Sequence, residues 1–169
     1  MEVRKIQLSD AEELLHFFQE LVKKDRERVE RPQDARHTTL KKERQWIQER
    51  IHKANKREMF AFIGRVDKKV VAEGEIERTP RWIEKHIAEI RMGILPDCES
   101  ITPLLIERLL ATAKKNKIEI LVYFHLKTQR KGIKAMKKAG FSDAGRIKRY
   151  YKRGKKYIDR LYLTKDLKH

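Results

Sequence analysis

The stretch Ile118 to His125, reading IEILVYFH, constrains the fold more than any other part of the chain. A strand with one wet face alternates apolar and polar residues. This one is apolar almost throughout, the pattern of a strand whose sheet is covered on both faces. Such a strand belongs to an α/β or mixed sheet, and its neighbours in sequence supply the covering helices. Before it, Ile101, Leu104, Leu105 and Leu109 recur at helical spacing in a segment running to Lys115. After it, a short basic helix spans Thr128 to Ala139 and stops at Gly140, a residue suited to the left-handed conformation that ends helices.

Upstream, Val3 to Leu8 alternates as a strand, and Ser9-Asp10-Ala11-Glu12 offers a capping box from which a helix begins at Asp10. Leu14, Phe17, Phe18, Leu21 and Val22 give that helix an apolar stripe. From Lys23 to Thr39 the chain turns polar and basic around Pro32, which predicts a helix end and a loop. Leu40, Ile47 and Ile51, with Trp46 beside them, mark a second amphipathic helix that dissolves near Asn55-Lys56-Arg57. Met59 to Val66, Lys69 to Thr79 and His86 to Leu95 predict an antiparallel meander, its first two strands joined at Asp67-Lys68. Phe141 to Tyr151 and Lys155 to Thr164 predict a closing hairpin that turns at Arg153-Gly154-Lys155. The order is β-α-α-β-β-β-α-β-α-β-β. No repeat and no Gly/Ser- or Pro-rich linker divides it, so residues 1–169 are expected to form a single α/β domain with an α+β mixed sheet.

Charge adds a second constraint. The chain carries 42 Lys+Arg against 25 Asp+Glu, a formal net charge of +17, which favours polyanionic partners such as nucleic acid or a phosphate-rich cofactor. A high density of both signs with few asparagines is thermophile-like, and explains the amount of charge but not its sign. No apolar run approaches the roughly 20 residues of a membrane span. The N-terminus lacks the pattern of a secretory signal, so the protein is expected to be cytoplasmic with no membrane partner. Cys98 is the only cysteine, which excludes an internal disulfide. His16, His37, His52, His86, His125 and His169 are scattered without ligand spacing, and no metal site is expected.

Three local motifs sharpen the reading: Ile94-Leu95-Pro96, Lys138-Ala139-Gly140-Phe141, and the hairpin Arg146 to Leu163 (RIKRYYKRGKKYIDRLYL). With the element order, they resemble the GNAT N-acetyltransferase superfamily across nearly the whole chain. The resemblance implies an acyl-CoA N-acyltransferase fold in which coenzyme A lies between splayed fourth and fifth strands, and transfer of an acetyl group from acetyl-CoA to a primary amine. It implies Glu89 on the fourth strand as the base, a role that burial would favour by raising its pKa. Cofactor contacts fall to amides at Leu95, Ile101, Thr102 and Leu104, and to Gln129, Lys131 and Lys134 on the last helix. Glu73, Glu75 and Glu77 share one strand face by the two-residue period. They read as a solvated face or as an acidic strip attracting a cationic amine.

The residues also depart from that pattern. The segment Pro96 to Leu105 (PDCESITPLL), where the family cradles the pyrophosphate, has no glycine and no arginine. It carries Asp97 and Glu99, and Pro103 has no amide hydrogen to offer an anion. Acetyl-CoA binding is therefore expected to be weak or absent. Met136 occupies the helix position where the family commonly places a proton-donating tyrosine. The competing reading is a non-catalytic GNAT-like protein that binds nucleic acid or a ribonucleoprotein through a basic surface. Its residues would be Lys127, Arg130, Lys137, Lys138, Arg149, Lys152, Arg153 and Lys155, with Tyr150, Tyr151 and Tyr157 interleaved for base stacking.

Overall fold

A computed structural model describes residues 1–168, so His169 lies outside it. Seven strands form one mixed sheet in the order β1-β2-β3-β4-β5-β7-β6. They are β1 (Glu2–Lys5), β2 (Met59–Val66), β3 (Lys69–Arg78), β4 (Ile87–Ile94), β5 (Ile120–Leu126), β6 (Ser142–Arg153) and β7 (Lys156–Asp166). The helices are α1 (Ala11–Lys24), α2 (Pro32–Arg36), α3 (Leu40–Asn55), α4 (Thr102–Lys115) and α5 (Arg130–Lys138). The meander is antiparallel as expected, and β5 lies parallel to β4 and antiparallel to β7.

Register assigns each residue of the central strands to one of two covered faces. Gly74 of β3 sits against Leu105 and Leu109 of α4, where an added Cβ would lie 3.0 Å from Leu109, so the missing side chain lets helix and sheet approach closely. The opposite face carries Glu73, Glu75 and Glu77 of β3 beside Gly93, Arg91 and Glu89 of β4. There α1 packs Leu21 and Phe17 over Gly93, and Arg50 of α3 reaches Glu75. Leu14, Leu21, Ile47, Ile63, Ile76, Ile90, Leu105 and Leu121 are among the fully buried residues that join helices to sheet.

Three local expectations are corrected. The capping box lies earlier, between Gln7 and Asp10, and not between Ser9 and Glu12. The buried Asp10 carboxylate accepts the Gln7 amide at 2.8 Å and both guanidinium nitrogens of Arg4 at 2.9 and 2.6 Å. That anchor holds Leu8–Asp10 in a 3₁₀ turn, ends β1 at Lys5 and starts α1 at Ala11. Pro32 starts the short helix α2 inside the expected loop, because its fixed φ suits a first helical turn. The acidic strip is not a free solvated face: Glu75 is buried, ion-paired with Arg91 at 2.8 Å and hydrogen-bonded by Arg50 at 3.2 Å, and Glu77 accepts from Lys53 at 2.9 Å. Gly140 (φ +87°) ends α5 and Gly154 (φ +60°) turns the hairpin, as expected.

Candidate active site at the fork of β4 and β5

The parallel ladder between β4 and β5 has only three registered pairs, Ile87 with Ile120, Ala88 with Leu121 and Glu89 with Val122. Beyond Glu89 the strands share no further pairing, and backbone groups on the two limbs are left facing a gap. On the α4/α5 side this fork opens into a cleft of about 1130 Å³. Met92 and Ile94 of β4 and Ile106 and Leu110 of α4 give it apolar walls, and α5 lines it with Arg130, Lys131, Lys134 and Lys138. An apolar trough with a cationic rim matches a ligand that has an apolar arm and phosphates.

In the turn leading into α4, three amides are already committed to backbone acceptors. The amide of Cys98 donates to Leu95 O at 3.1 Å, that of Ile101 to Cys98 O at 3.2 Å, and that of Thr102 to Glu99 O. Pro103 follows without a hydrogen. Asp97 holds φ at +72°, a left-handed conformation reached without glycine. Glu99 pairs instead with Lys131 of α5, an ion pair between two residues that line the cleft. The Lys131 ammonium holds the Glu99 carboxyl below its usual range.

Tyr123 is the first β5 residue beyond the fork, and the two-residue period puts it on the cleft face with Leu121. It is 8% exposed, and burial pushes its phenol up to about 12, so the hydroxyl stays protonated. Gly132 of α5 makes room for it: a Cβ there would lie 3.1 Å from the phenol oxygen. Met136, one helical turn further on, is fully buried in the core and leaves the phenol as the hydroxyl at this wall.

Across the sheet, carboxylates gather on the face under α1 and α3. Glu89 marks the vertex of the fork, with Oε1 shielded from solvent, no hydrogen bond, and Arg91 Nε 3.4 Å away. Burial raises its pKa despite Arg91 and Arg160. Glu89 also lines a smaller pocket of about 530 Å³ with Glu77, Lys53 and Arg78, and it is not part of the large cleft. Glu73 is the more perturbed group: burial, then the neighbouring Glu75, push it well above the carboxylate range, and its Oε1 has no partner.

The cofactor residues expected from sequence divide in two. Thr102, Gln129, Lys131 and Lys134 line the cleft. Leu95, Ile101 and Leu104 do not. The Leu95 amide is committed to Val71 O at 2.9 Å, the Ile101 side chain fills the core against Gly64, and Leu104 is turned outward. Gln129 accepts the Leu126 amide at 3.0 Å and so pins the turn before α5. Of the basic residues expected on a nucleic-acid surface, Arg130 and Lys138 belong to the cleft, while Arg149, Lys152, Arg153 and Lys155 lie on the β6–β7 hairpin. Lys137 is paired with Asp143 at 2.7 Å and Lys127 lies 4.0 Å from Asp159. Sequence reasoning missed Tyr123 and the shielding of Glu73 Oε1 from solvent. A glycine inside a helix, Gly132, was the available signal for the first, because it is unfavourable there without a packing reason.

An α/β wedge with a cationic cleft at a forked parallel strand pair is the architecture of an acyl-CoA N-acyltransferase. The chain matches the acetyltransferase (GNAT) domain family over residues 3–162 and belongs to that family. No curated protein sequence matches it. Among solved structures, a GNAT-family acetyltransferase of Streptococcus pneumoniae superposes with a TM-score of 0.86 at 18% identity, covering 98% of both chains. The ribosomal-protein-alanine N-acetyltransferase of Brucella melitensis gives 0.81 at 18% identity, covering 98% of this chain and 99% of that one. A putative acetyltransferase of Salmonella typhimurium, solved with its cofactor acetyl-CoA, gives 0.82 at 11% identity over 98% and 93%. At these identities the likenesses establish the fold.

Proposed function

We propose that the protein transfers an acetyl group from acetyl-CoA to a primary amine, gripping the cofactor by the side chains of α5. The observation that carries this reading is the coincidence of the fork, where pairing stops after Glu89 and Val122, with a cleft whose rim is cationic. When bound, acetyl-CoA supplies the acetyl group as a thioester. Lys134 and Lys138, one turn apart on α5, hold phosphate oxygens, and Lys131 joins them once it exchanges Glu99 for phosphate. Met92, Ile94, Ile106 and Leu110 exclude water along the apolar arm. The Tyr123 phenol, protonated at every physiological pH, donates a hydrogen bond into the cleft beside the fork.

The amine approaches from the other face. Glu89, at the vertex, takes up its proton: the pKa raised by burial brings the carboxylate closer to neutrality. Calorimetric titration with acetyl-CoA tests the first half, and a one-to-one complex that weakens with salt is expected. Absence of binding at low salt overturns it. Release of free thiol from acetyl-CoA across a panel of primary amines tests the second half. Glu89→Gln should lower kcat while leaving the calorimetric affinity for acetyl-CoA unchanged; an unaltered kcat removes Glu89 from the chemistry.

A further inference from the structure

The β6–β7 hairpin stands apart from the fork chemistry. β6 is the terminal strand of the sheet, and it is exposed at every residue except the half-buried Tyr151. Neither face of its outer half is covered, and bulges between Asp143 and Gly145 and between Ile147 and Tyr151 interrupt its pairing with β7. At the second bulge Arg149 takes φ +57° and donates its amide to Asp159 Oδ1 at 2.9 Å. A long exposed edge with apolar side chains invites pairing between copies, and cationic side chains are a device that prevents it. Here the cations exceed that need.

Between Arg146 and Lys156 the ribbon carries seven lysines and arginines and no carboxylate. Arg146 is neutralised by Asp159, and Arg153 reaches Arg28 O at 2.7 Å. Lys148, Arg149, Lys152, Lys155 and Lys156 have no carboxylate partner among the described residues. Tyr157, 46% exposed, lies among them with the Arg149 guanidinium 4.2 Å from its ring centroid and Lys152 Nζ at 5.5 Å. Tyr150 is 49% exposed nearby. Five free cations would suit any polyanion. Half-exposed phenol rings set among them suit an unpaired base, which presents a π-face to stack while its phosphates meet the cations.

We propose that this ribbon is a binding surface for single-stranded nucleic acid, with Tyr157 as the stacking platform and Arg149, Lys152 and Lys155 as the phosphate-binding groups. None of these four lines the cleft, so the proposal stands independently of the cofactor. A duplex hides the base faces that Tyr157 would use, and an acidic lipid surface has none. Single strands are therefore preferred to both.

The test is fluorescence anisotropy with a labelled oligouridine, a duplex of equal length, and vesicles containing acidic lipid, each at several salt concentrations. Oligouridine binding is expected, with a logarithmic salt slope that falls by about 1.4 when Lys152 and Lys155 are both changed to Gln, at about 0.7 for each phosphate left without its cation. Tyr157→Ala should weaken it roughly 5- to 150-fold, and Tyr157→Phe, which keeps the ring, should not. Affinity for acetyl-CoA in these variants should equal that of the wild type, which also reports that they are folded. Three results overturn the proposal: no oligouridine binding at low salt, vesicle or duplex binding at least as tight, or an unchanged affinity in Tyr157→Ala.

Discussion

Glu73→Gln should stabilise the protein at neutral and alkaline pH. Glu73 sits mid-strand on β3 between Ile63 of β2 and Gly93 of β4, two residues from Glu75 on the same face. Arg91 and Arg50 are already engaged by Glu75, and Glu73 Oε1 is shielded from solvent without a hydrogen bond. Burial first, and then the charge of Glu75, raise its pKa well above the ordinary value, while Arg50, Arg28 and Arg91 pull the other way without prevailing. The folded state thus holds this proton more tightly than the unfolded chain, whose glutamates titrate near 4.3. Stability is undiminished below about pH 4 and falls as pH rises through the window up to the folded pKa. Glutamine keeps the shape and removes that slope.

Each unit separating the two pKa values is worth about 1.4 kcal/mol. That separation, opened by burial and Glu75, sets the expected advantage of Glu73→Gln at pH 8. Urea denaturation of both proteins at pH 4, 6 and 8, analysed for equal m-values, measures the difference and cancels the titrating groups that do not interact with Glu73. The advantage should shrink toward zero at pH 4. A variant less stable than wild type at pH 8, or an advantage independent of pH, would show that the carboxylate is held as a paired anion and refute the reasoning.

Tyr123→Phe should weaken acetyl-CoA binding several-fold in calorimetry, as expected for loss of one hydrogen bond worth about 1 kcal/mol, with the melting temperature unchanged. Glu99→Gln frees Lys131 and should tighten acetyl-CoA binding, by no more than about fivefold because the exposed pair it removes is worth at most about 1 kcal/mol. Asp10→Asn should destabilise by about 3 kcal/mol at pH 7, since Arg4 is left without its bidentate partner. Burial pushes the Asp10 pKa up, but Arg4 and the Gln7 amide prevail and lower it. Its contribution is therefore present above about pH 4 and lost as pH falls through the folded value, so the gap between the proteins in urea denaturation should close in acid. Gly64→Ala places a Cβ 2.7 Å from Ile101 Cδ1 and 3.0 Å from Ala72 Cβ, and overpacking there should cost about 1–3 kcal/mol by chemical denaturation.

The element order was legible because hydrophobic period and punctuation agreed along most of the chain. The continuous apolar run of β5, the turn at Asp67-Lys68 between β2 and β3 and the stop at Gly140 each report a local cause. What escaped the sequence depends on partners distant in the chain. The capping role of Asp10 over Ser9 is decided by Arg4 across a turn. The pairing of Glu75 and Glu77 is decided by α3, which brings Arg50 and Lys53 over them, and a two-residue period cannot say whether a polar face meets water or a basic helix. The pattern of Pro96 to Leu105 showed that the glycines and the arginine of a family-type cradle are absent, since residue identity is a local matter. It could not signal the cleft beyond, whose cationic wall comes from α5, about thirty residues later in the chain.

That relocation of charge has a mechanical consequence. Backbone amides at a helix start are fixed by the helix and offer phosphate a rigid neutral nest, stabilised further by the helix dipole. Lysine side chains offer full charges on flexible stems, and ordering them costs rotamer entropy when a ligand binds. A cofactor held by Lys131, Lys134 and Lys138 should therefore bind with a stronger salt dependence than one held by amides, because exposed charges are screened while a buried nest is not. On the proposed reading the Glu99–Lys131 pair would be an internal substitute for phosphate, and binding would exchange one anion for another. Such a site would select multiply charged ligands: a single carboxylate would gain little by displacing Glu99, whereas a diphosphate would engage Lys131 and Lys134 together.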